Sequence, residues 1–294
     1  MEIIQNEKLS KHSTFLIGGP ADHFCKCQSP EDLKEAIQFA KQQEAPYLII
    51  GGGSNILFDD EGFRGVIIKM EDQNVTFGES TVKAGAGTNV ATLIAKTIQN
   101  GFIGLGKWVG LPGTIGGAVR GNAGCNGLET KDILVKATLF DPKTEEIKEV
   151  TAEYFQYGYR TSFIKSSDEI VLNATLQLQK SDESPEEQVK LMQEIRMFRK
   201  DAQPFGSSGG SFFKNPSPEK PAGMLIDQAG LKGKSIGNAQ ISEKHANFFL
   251  NKGGATSADI IELAKLAKEQ VEAKTGIVLR EEIQIIGKTG RTTI

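Results

Sequence analysis

The 294-residue sequence balances 34 Lys and Arg against 37 Asp and Glu, contains 38% hydrophobic residues and a single Trp, and carries a formal net charge of −3. That balance leaves no basic surplus for nucleic acid, and no stretch approaches the roughly 20 apolar residues of a membrane helix. Cys25, Cys27 and Cys125 form no C-x-x-C, and His12, His23 and His245 are not paired at helical spacing, so neither a disulfide framework nor a metal centre is expected. The chain is long enough for two domains. Its start, Met1-E-I-I-Q-N-E-K-L-S, has no basic segment followed by an apolar one, so a cytoplasmic protein without a membrane partner is expected.

Pro30 to Ala45 reads as an amphipathic helix, with Ser29 as N-cap, Pro30 in the first turn, and Leu33, Ala36, Ile37 and Ala40 on one face. It runs into Pro46-Y-L-I-I, an apolar run suited to a buried strand, which ends in Gly51-G-G-S-N-I-L. Three glycines, Ser54 and Asn55 at one strand end concentrate amides and small polar groups, as a pyrophosphate clamp needs; a plain turn uses the same residues. Gly65 to Met70 and Ser80 to Gly87 are expected strands, and Thr88 to Asn100 a helix. Gly85-A-G-T-N-V is not a dinucleotide fingerprint, because G-x-G-x-x-G needs glycine where Val90 stands and no acidic ribose ligand follows at the usual distance.

The chain is organised around Leu111 to Gly124, read L-P-G-T-I-G-G-A-V-R-G-N-A-G. Five of its fourteen residues are glycine. They free the backbone to approach a ligand, and a helix opening at Thr114 aims its first amides at an anion. A Gly-rich surface loop accounts for the same residues. Two separated Gly-rich elements suggest an extended dinucleotide held without the single-turn fingerprint.

Ile133 to Asp141, Glu146 to Thr151 and Glu169 to Leu178 are expected strands, which makes the first half α+β. Tyr157-G-Y-R-T-S-F-I-K gathers Tyr159, Arg160, Ser162 and Lys165, a setting for a carboxylate-binding Arg or for a solvated strand end. Ser181 to Gln203 reads as a linker becoming a helix from Glu186 to Lys200, with Val189, Met192, Ile195 and Arg199 on its packing face. In Phe205-G-S-S-G-G-S-F-F-K-N-P, Phe212 and Phe213 beside Ser211, Lys214 and Asn215 read as a pocket lining. Gly233-K-S does not end a phosphate loop, since Gln228 stands where the first glycine belongs. A short helix from Ala222 with a Gly stop, a strand over Gln240 to Asn251, a helix over Thr256 to Lys274 and a strand over Gly276 to Gly287 complete the chain. The last buries Ile283, Ile285 and Ile286 and turns Glu281 or Glu282 to a cleft.

Seven segments carry a resemblance: Thr14-F-L-I-G-G-P-A-D, Gly51-G-G-S-N-I-L, Leu111-P-G-T-I-G-G-A-V with Asn122-A-G, Tyr159-R-T-S, Gly210-S-F-F-K-N-P, Ser242-E-K-H-A-N-F and Glu282-I-Q-I-I-G. In this order they resemble the UDP-N-acetylenolpyruvoylglucosamine reductases, bacterial flavoenzymes that make UDP-N-acetylmuramate for peptidoglycan. The resemblance implies an α+β fold with an FAD-binding part of the vanillyl-alcohol-oxidase (PCMH-like) kind. That part comprises subdomains over residues 1–70 and 71–202, and a substrate-binding domain over residues 203–294 follows. Non-covalent FAD is implied, held by Gly51, Gly52, Gly53, Ser54, Asn55, Pro112, Gly113, Thr114, Gly116, Gly117, Ala118, Asn122 and Gly124, with NADPH as co-substrate. The residues implied as catalytic are Arg160, Ser211 and Glu282. Hydride adds to the methylene carbon of the enolpyruvyl group, Arg160 and Glu282 meet the charge on its carboxylate, and Ser211 supplies the proton. Tyr159, Lys214, Asn215 and His245 are implied substrate contacts. Of the two adjacent acids, Glu282 has the family's spacing to Ile283-Q-I-I-G.

The short interval between Lys165 and Ser211 resembles the shorter of the family's two types, which lacks an inserted tyrosine-bearing loop. Cys125-N-G follows Asn122-A-G where the family usually reads Ala-Tyr-Gly, and Arg120-Gly121 replaces an aromatic-Met pair, so packing beside the flavin differs. Two other readings are a flavin oxidase of the same broad fold with flavin attached through Cys125, and a non-catalytic UDP-sugar binder. The presence of all three catalytic residue types argues against the second.

Overall fold

The computed structural model describes residues 1–181 and 185–294. The helices follow their sequence signals closely. Helix α1 (Pro30–Gln42) starts where Ser29 Oγ accepts the Asp32 amide at 3.1 Å, and Leu33, Ala36, Ile37 and Ala40 are its buried residues. Helix α2 (Val90–Gln99) is capped by Asn89, whose Oδ1 accepts the Ala91 amide at 2.9 Å. Helix α3 (Ile115–Gly121) is the short helix expected after Thr114, and Asn122 ends it in the left-handed region at φ 46°. Helix α4 covers Pro185–Ala202; the linker read ahead of it falls partly on residues 182–184, outside the described residues. Its packing face keeps Met192, Ile195 and Arg199 of the four expected residues, each partly buried, and departs at Val189. Gln188 is buried and Val189 is 43% exposed, because the Gln188 and Met192 side chains lie against Gly106 and the Arg199 guanidinium against Gly110. Helices α5 (Ala222–Gln228) and α6 (Ser257–Thr275) follow, the latter opened by a Thr256–Asp259 capping box and closed by Gly276 at φ 69°.

The chain divides into two compact units. One comprises Met1–Ile3, Cys25–Gly52 and Ile67–Arg199; the other comprises Ile4–Phe24, Gly53–Val66 and Lys200–Ile294. Both units are discontinuous in sequence.

The first unit contains a five-stranded antiparallel sheet in the order Ile147–Thr151, Leu134–Phe140, Ile170–Gln177, Thr81–Gly85, Val75–Phe77. One row across it reads Val150, Ala137, Ala174, Ala84, Val75. The three central alanines are essentially inaccessible to solvent. Small side chains there let α3 settle on the strand Ile170–Gln177. Cys27 in this unit is a buried thiol that desolvation pushes up to about 12, as expected of an inert core cysteine.

The second unit has two three-stranded sheets. In one, Ile56–Phe58 pairs in parallel with Gln284–Gly287, which pairs antiparallel with Gly290–Thr292. In the other, Ser235–Ile236, Ala239–Ile241 and Phe249–Asn251 are antiparallel. The single strand expected over Gln240 to Asn251 is therefore two strands around a turn, because Ser242 Oγ accepts the amides of Lys244 and His245 and closes the backbone on itself. Phe212 and Phe213 are fully buried and pack on Phe249, with ring centroids 4.7 and 5.8 Å from it. They are core rather than the pocket lining that their neighbours suggested, each worth about 2–3 kcal/mol of burial.

Candidate active site

In the first unit the two Gly-rich elements meet. A Cβ on Gly51 would stand 2.3 Å from Thr114 Oγ1, and one on Gly52 would stand 2.9 Å from the Gly113 Cα. This contact brings together Gly51, Gly52, Gly113 and Thr114. The amides at the start of α3 differ from the expected anion cradle: Ile115 donates to Thr88 O at 3.0 Å and Gly116 to Ala86 O at 2.9 Å. Gly116 is needed for the protein's own packing, since a Cβ there would be 2.8 Å from that of Ala86. Ala118 is buried, and its carbonyl accepts from Thr130 Oγ1 at 3.1 Å. Two hydroxyls of this unit's described residues remain unsatisfied. Thr88 Oγ1 and Thr114 Oγ1 are buried with no hydrogen-bond partner among the described residues. An orphaned buried hydroxyl is costly, and that of Thr114, beside Gly51 and Gly117, with that of Thr88, whose carbonyl accepts the Ile115 amide, fit a polar ligand that supplies their partners. The residues present therefore suit a cofactor rich in hydrogen-bonding groups.

The end of α3 carries the Arg160 segment. Asn122 is inaccessible to solvent; its Nδ2 donates to Glu129 Oε2 and Gly158 O, both at 3.0 Å, and its Oδ1 accepts the Lys131 amide at 3.0 Å. Arg160 donates from Nη2 to Gly124 O at 3.0 Å and from Nη1 to Asn122 O at 3.4 Å, while its own carbonyl accepts from Lys165 Nζ at 2.7 Å. Its backbone sits at φ 54°, a conformation that L-residues adopt only under constraint, as functional residues often do. The half-exposed Tyr159 ring lies 5.4 Å from the guanidinium carbon. Ser162 Oγ donates to Arg120 O at 2.6 Å, and the Tyr157 hydroxyl to Val119 O at 2.9 Å; burial pushes that phenol far above its ordinary value. Cys125 Sγ accepts from Arg199 Nη1 at 3.0 Å and from Asn126 Nδ2 at 3.2 Å.

In the second unit, Gly53 and Asn55 have close partners within the chain. Gly53 adopts φ 62°, and a Cβ on it would fall 1.8 Å from His12 O, so the chain's own backbone already excludes a side chain there. Asn55 Nδ2 donates to Glu282 O at 3.0 Å, and Asn55 O accepts the Gln284 amide at 2.9 Å. The Glu282 amide donates to Phe212 O at 2.8 Å, so Asn55, Glu282 and the segment carrying Ser211 are brought together. Glu281 Oε1 is paired with Lys268 Nζ at 2.6 Å on α6, and Lys268 Nζ also donates to Ile294 O.

Ser211 follows Gly210, at φ 80°, and pairs in an isolated bridge with Phe248. Asn215 Oδ1 accepts the Ala222 amide at 3.0 Å and so helps open α5, while Lys214 is half-buried. His245 Nδ1 accepts the Asn247 amide at 3.2 Å, which leaves the neutral ring's proton on Nε2. Desolvation by burial lowers the His245 pKa.

The C-terminal domain of UDP-N-acetylenolpyruvoylglucosamine reductase matches residues 202–286, and an FAD binding domain matches residues 21–151. The chain is 40% identical over 279 residues to a UDP-N-acetylenolpyruvoylglucosamine reductase of Chlamydia felis, spanning 95% of this chain and 92% of that protein. The chain belongs to the UDP-N-acetylenolpyruvoylglucosamine reductase family. The Bacillus subtilis UDP-N-acetylenolpyruvoylglucosamine reductase is likewise 40% identical over 292 residues, spanning 97% of this chain and 94% of the relative. The crystal structure of the UDP-N-acetylenolpyruvylglucosamine reductase from Thermus caldophilus superposes with a TM-score of 0.79 at 33% identity, covering 97% of this chain and 98% of that one. The α+β class and FAD as cofactor follow for this reductase-family chain. Thr88 and Asn247 carry no local functional signal in the sequence: Thr88 reads as a helix start, and Asn247 is one polar residue within Ser242-E-K-H-A-N-F.

Proposed function

We propose that the protein reduces the enolpyruvyl group of UDP-N-acetylenolpyruvoylglucosamine to the lactyl group of UDP-N-acetylmuramate, with NADPH as the reductant of its FAD. The reading rests above all on end-to-end likeness to reductases of that name. Gly51, Gly52, Thr88, Gly113 and Thr114 would hold the cofactor, which when bound supplies hydride to the methylene carbon of the substrate alkene. The remaining work belongs to side chains. As the new C–H bond forms, negative charge spreads onto the substrate carboxylate, where the Arg160 guanidinium offers a planar pair of donors and Glu282, in its acid form, a further one. Ser211 then gives its hydroxyl proton to the carbon next to that carboxylate. A serine is a poor acid in water, so this step needs a carbanion-like acceptor and a preset geometry. Tyr159, Lys214 and His245 are the proposed contacts to the rest of the substrate.

The test is anaerobic stopped-flow absorbance of the Ser211→Ala holoenzyme, first with NADPH and then with the enolpyruvyl substrate. Flavin reduction should proceed normally and reoxidation should slow by about a hundred- to ten-thousand-fold, the usual cost of a missing general acid. Equal slowing of both half-reactions would overturn the proton-donor role.

A further inference from the structure

The backbone leading into Ser211 passes through Gly209 and Gly210, and glycines restrain a chain little by themselves. What places the serine must therefore lie on its other side. Asn247 is there, 1% exposed, with hydrogen bonds from all its polar groups to the segments that carry Ser211 and His245. The Phe213 amide donates to Asn247 Oδ1 at 2.9 Å, and Asn247 Nδ2 donates back to Phe213 O at 2.8 Å, so one side-chain amide replaces a neighbouring strand. The Phe212 amide donates to Asn247 O at 2.8 Å. Phe212 O in turn accepts the Glu282 amide. The Asn247 N–H donates to His245 Nδ1 at 3.2 Å.

We propose that Asn247 is a positioning residue for the protonation step, locking the backbone of Ser211-Phe212-Phe213 and holding His245 as the tautomer with its proton on Nε2. The inference rests on the reading of Ser211 as proton donor. Asparagine is suited to the place because Phe213 presents one donor and one acceptor, which a neutral amide matches and a carboxylate does not. Burial makes the match strict, since an unmet partner there finds no water.

The experiment compares Asn247→Asp, Ser211→Ala and wild-type holoenzymes by stopped-flow, reading flavin reduction by NADPH and reoxidation by substrate separately. Asn247→Asp keeps the acceptor for the Phe213 amide and loses the donor to Phe213 O. Its reoxidation rate constant should fall about 10- to 100-fold, the scale of a misplaced reacting group, with flavin reduction unchanged. A residue that only stabilises the fold would lower the melting temperature and the amplitude of both phases while leaving the reoxidation rate constant as in wild type, and that result overturns the proposal. Asn247→Ser, which buries no charge, takes over the measurement if the Asp variant does not fold. Imidazole nitrogen chemical shifts of wild-type His245 give a readout independent of any variant: a proton on Nδ1 would contradict the hub. Slow Ser211→Ala with normal Asn247 variants would remove only this proposal. Normal Ser211→Ala would remove the serine's role itself.

Discussion

Gly51→Ala is a sharp probe of whether the two Gly-rich elements abut as described. Its new methyl would stand 2.3 Å from Thr114 Oγ1, more than 1 Å inside the roughly 3.5 Å of a favourable non-bonded contact. Overfilling a packed site by one methyl costs about 1–3 kcal/mol. The φ of Gly51 lies outside the glycine-only region, so the cost is steric and not conformational. Deleting the obstructing atom should therefore abolish it. In a Thr114→Ala background the next obstacles would be the Thr114 Cβ position at 3.5 Å, an ordinary contact. Thr114→Ala alone should leave apoprotein stability nearly unchanged, because its hydroxyl has no partner among the described residues. It should weaken FAD by about 2- to 10-fold, the equivalent of one hydrogen bond of about 0.5–1.5 kcal/mol. Urea unfolding of the four apoproteins gives the coupling energy, and flavin fluorescence titration gives FAD affinity. If Gly51→Ala costs the same with and without Thr114→Ala, the two elements do not touch and the clamp is misplaced.

The adjacent acids should separate by half-reaction: Glu281→Gln loses its Lys268 partner and about 1 kcal/mol or less of stability with reoxidation intact, whereas Glu282→Ala, which removes the donor, slows reoxidation by about a hundredfold. The reverse ranking in stopped-flow reoxidation would move the catalytic role to Glu281. His245 should make the protein acid-sensitive. Burial depresses its folded-state pKa, so the unfolded chain takes up the proton first, and the stability present above about pH 6.5 is lost as pH falls toward the folded value. Urea midpoints near pH 8 and near pH 5 should differ less in His245→Gln than in wild type; equal differences would show that His245 does not carry the effect.

The helices were legible because each has a local signature: Ser29 and Pro30 before α1, and Thr256 with Asp259 at α6, fix starts that need no distant contact. Glycine was harder to read. A residue with no side chain signals close approach without saying to what: at Gly53 the near neighbour is His12 and at Gly116 it is Ala86. Phe212 and Phe213 misled in the same way, since an apolar pair beside polar residues reads alike for a pocket wall and for a core. The meeting of Gly51 with Thr114 and of Asn55 with Glu282 depends on residues far apart in sequence, which local pattern does not encode. Val189 reads as inward on α4 by its apolar character; Gly106 instead admits Gln188, beside the expected Met192, while the expected Arg199 lies at Gly110.

The most direct measurement is substrate-driven reoxidation. Holoenzyme reduced anaerobically with NADPH in deuterated water should regain its oxidised flavin absorbance on addition of UDP-N-acetylenolpyruvoylglucosamine. The product should be UDP-N-acetylmuramate carrying solvent deuterium at the carbon beside the carboxylate. Flavin that stays reduced with this substrate and is reoxidised only by oxygen would contradict the reductase assignment.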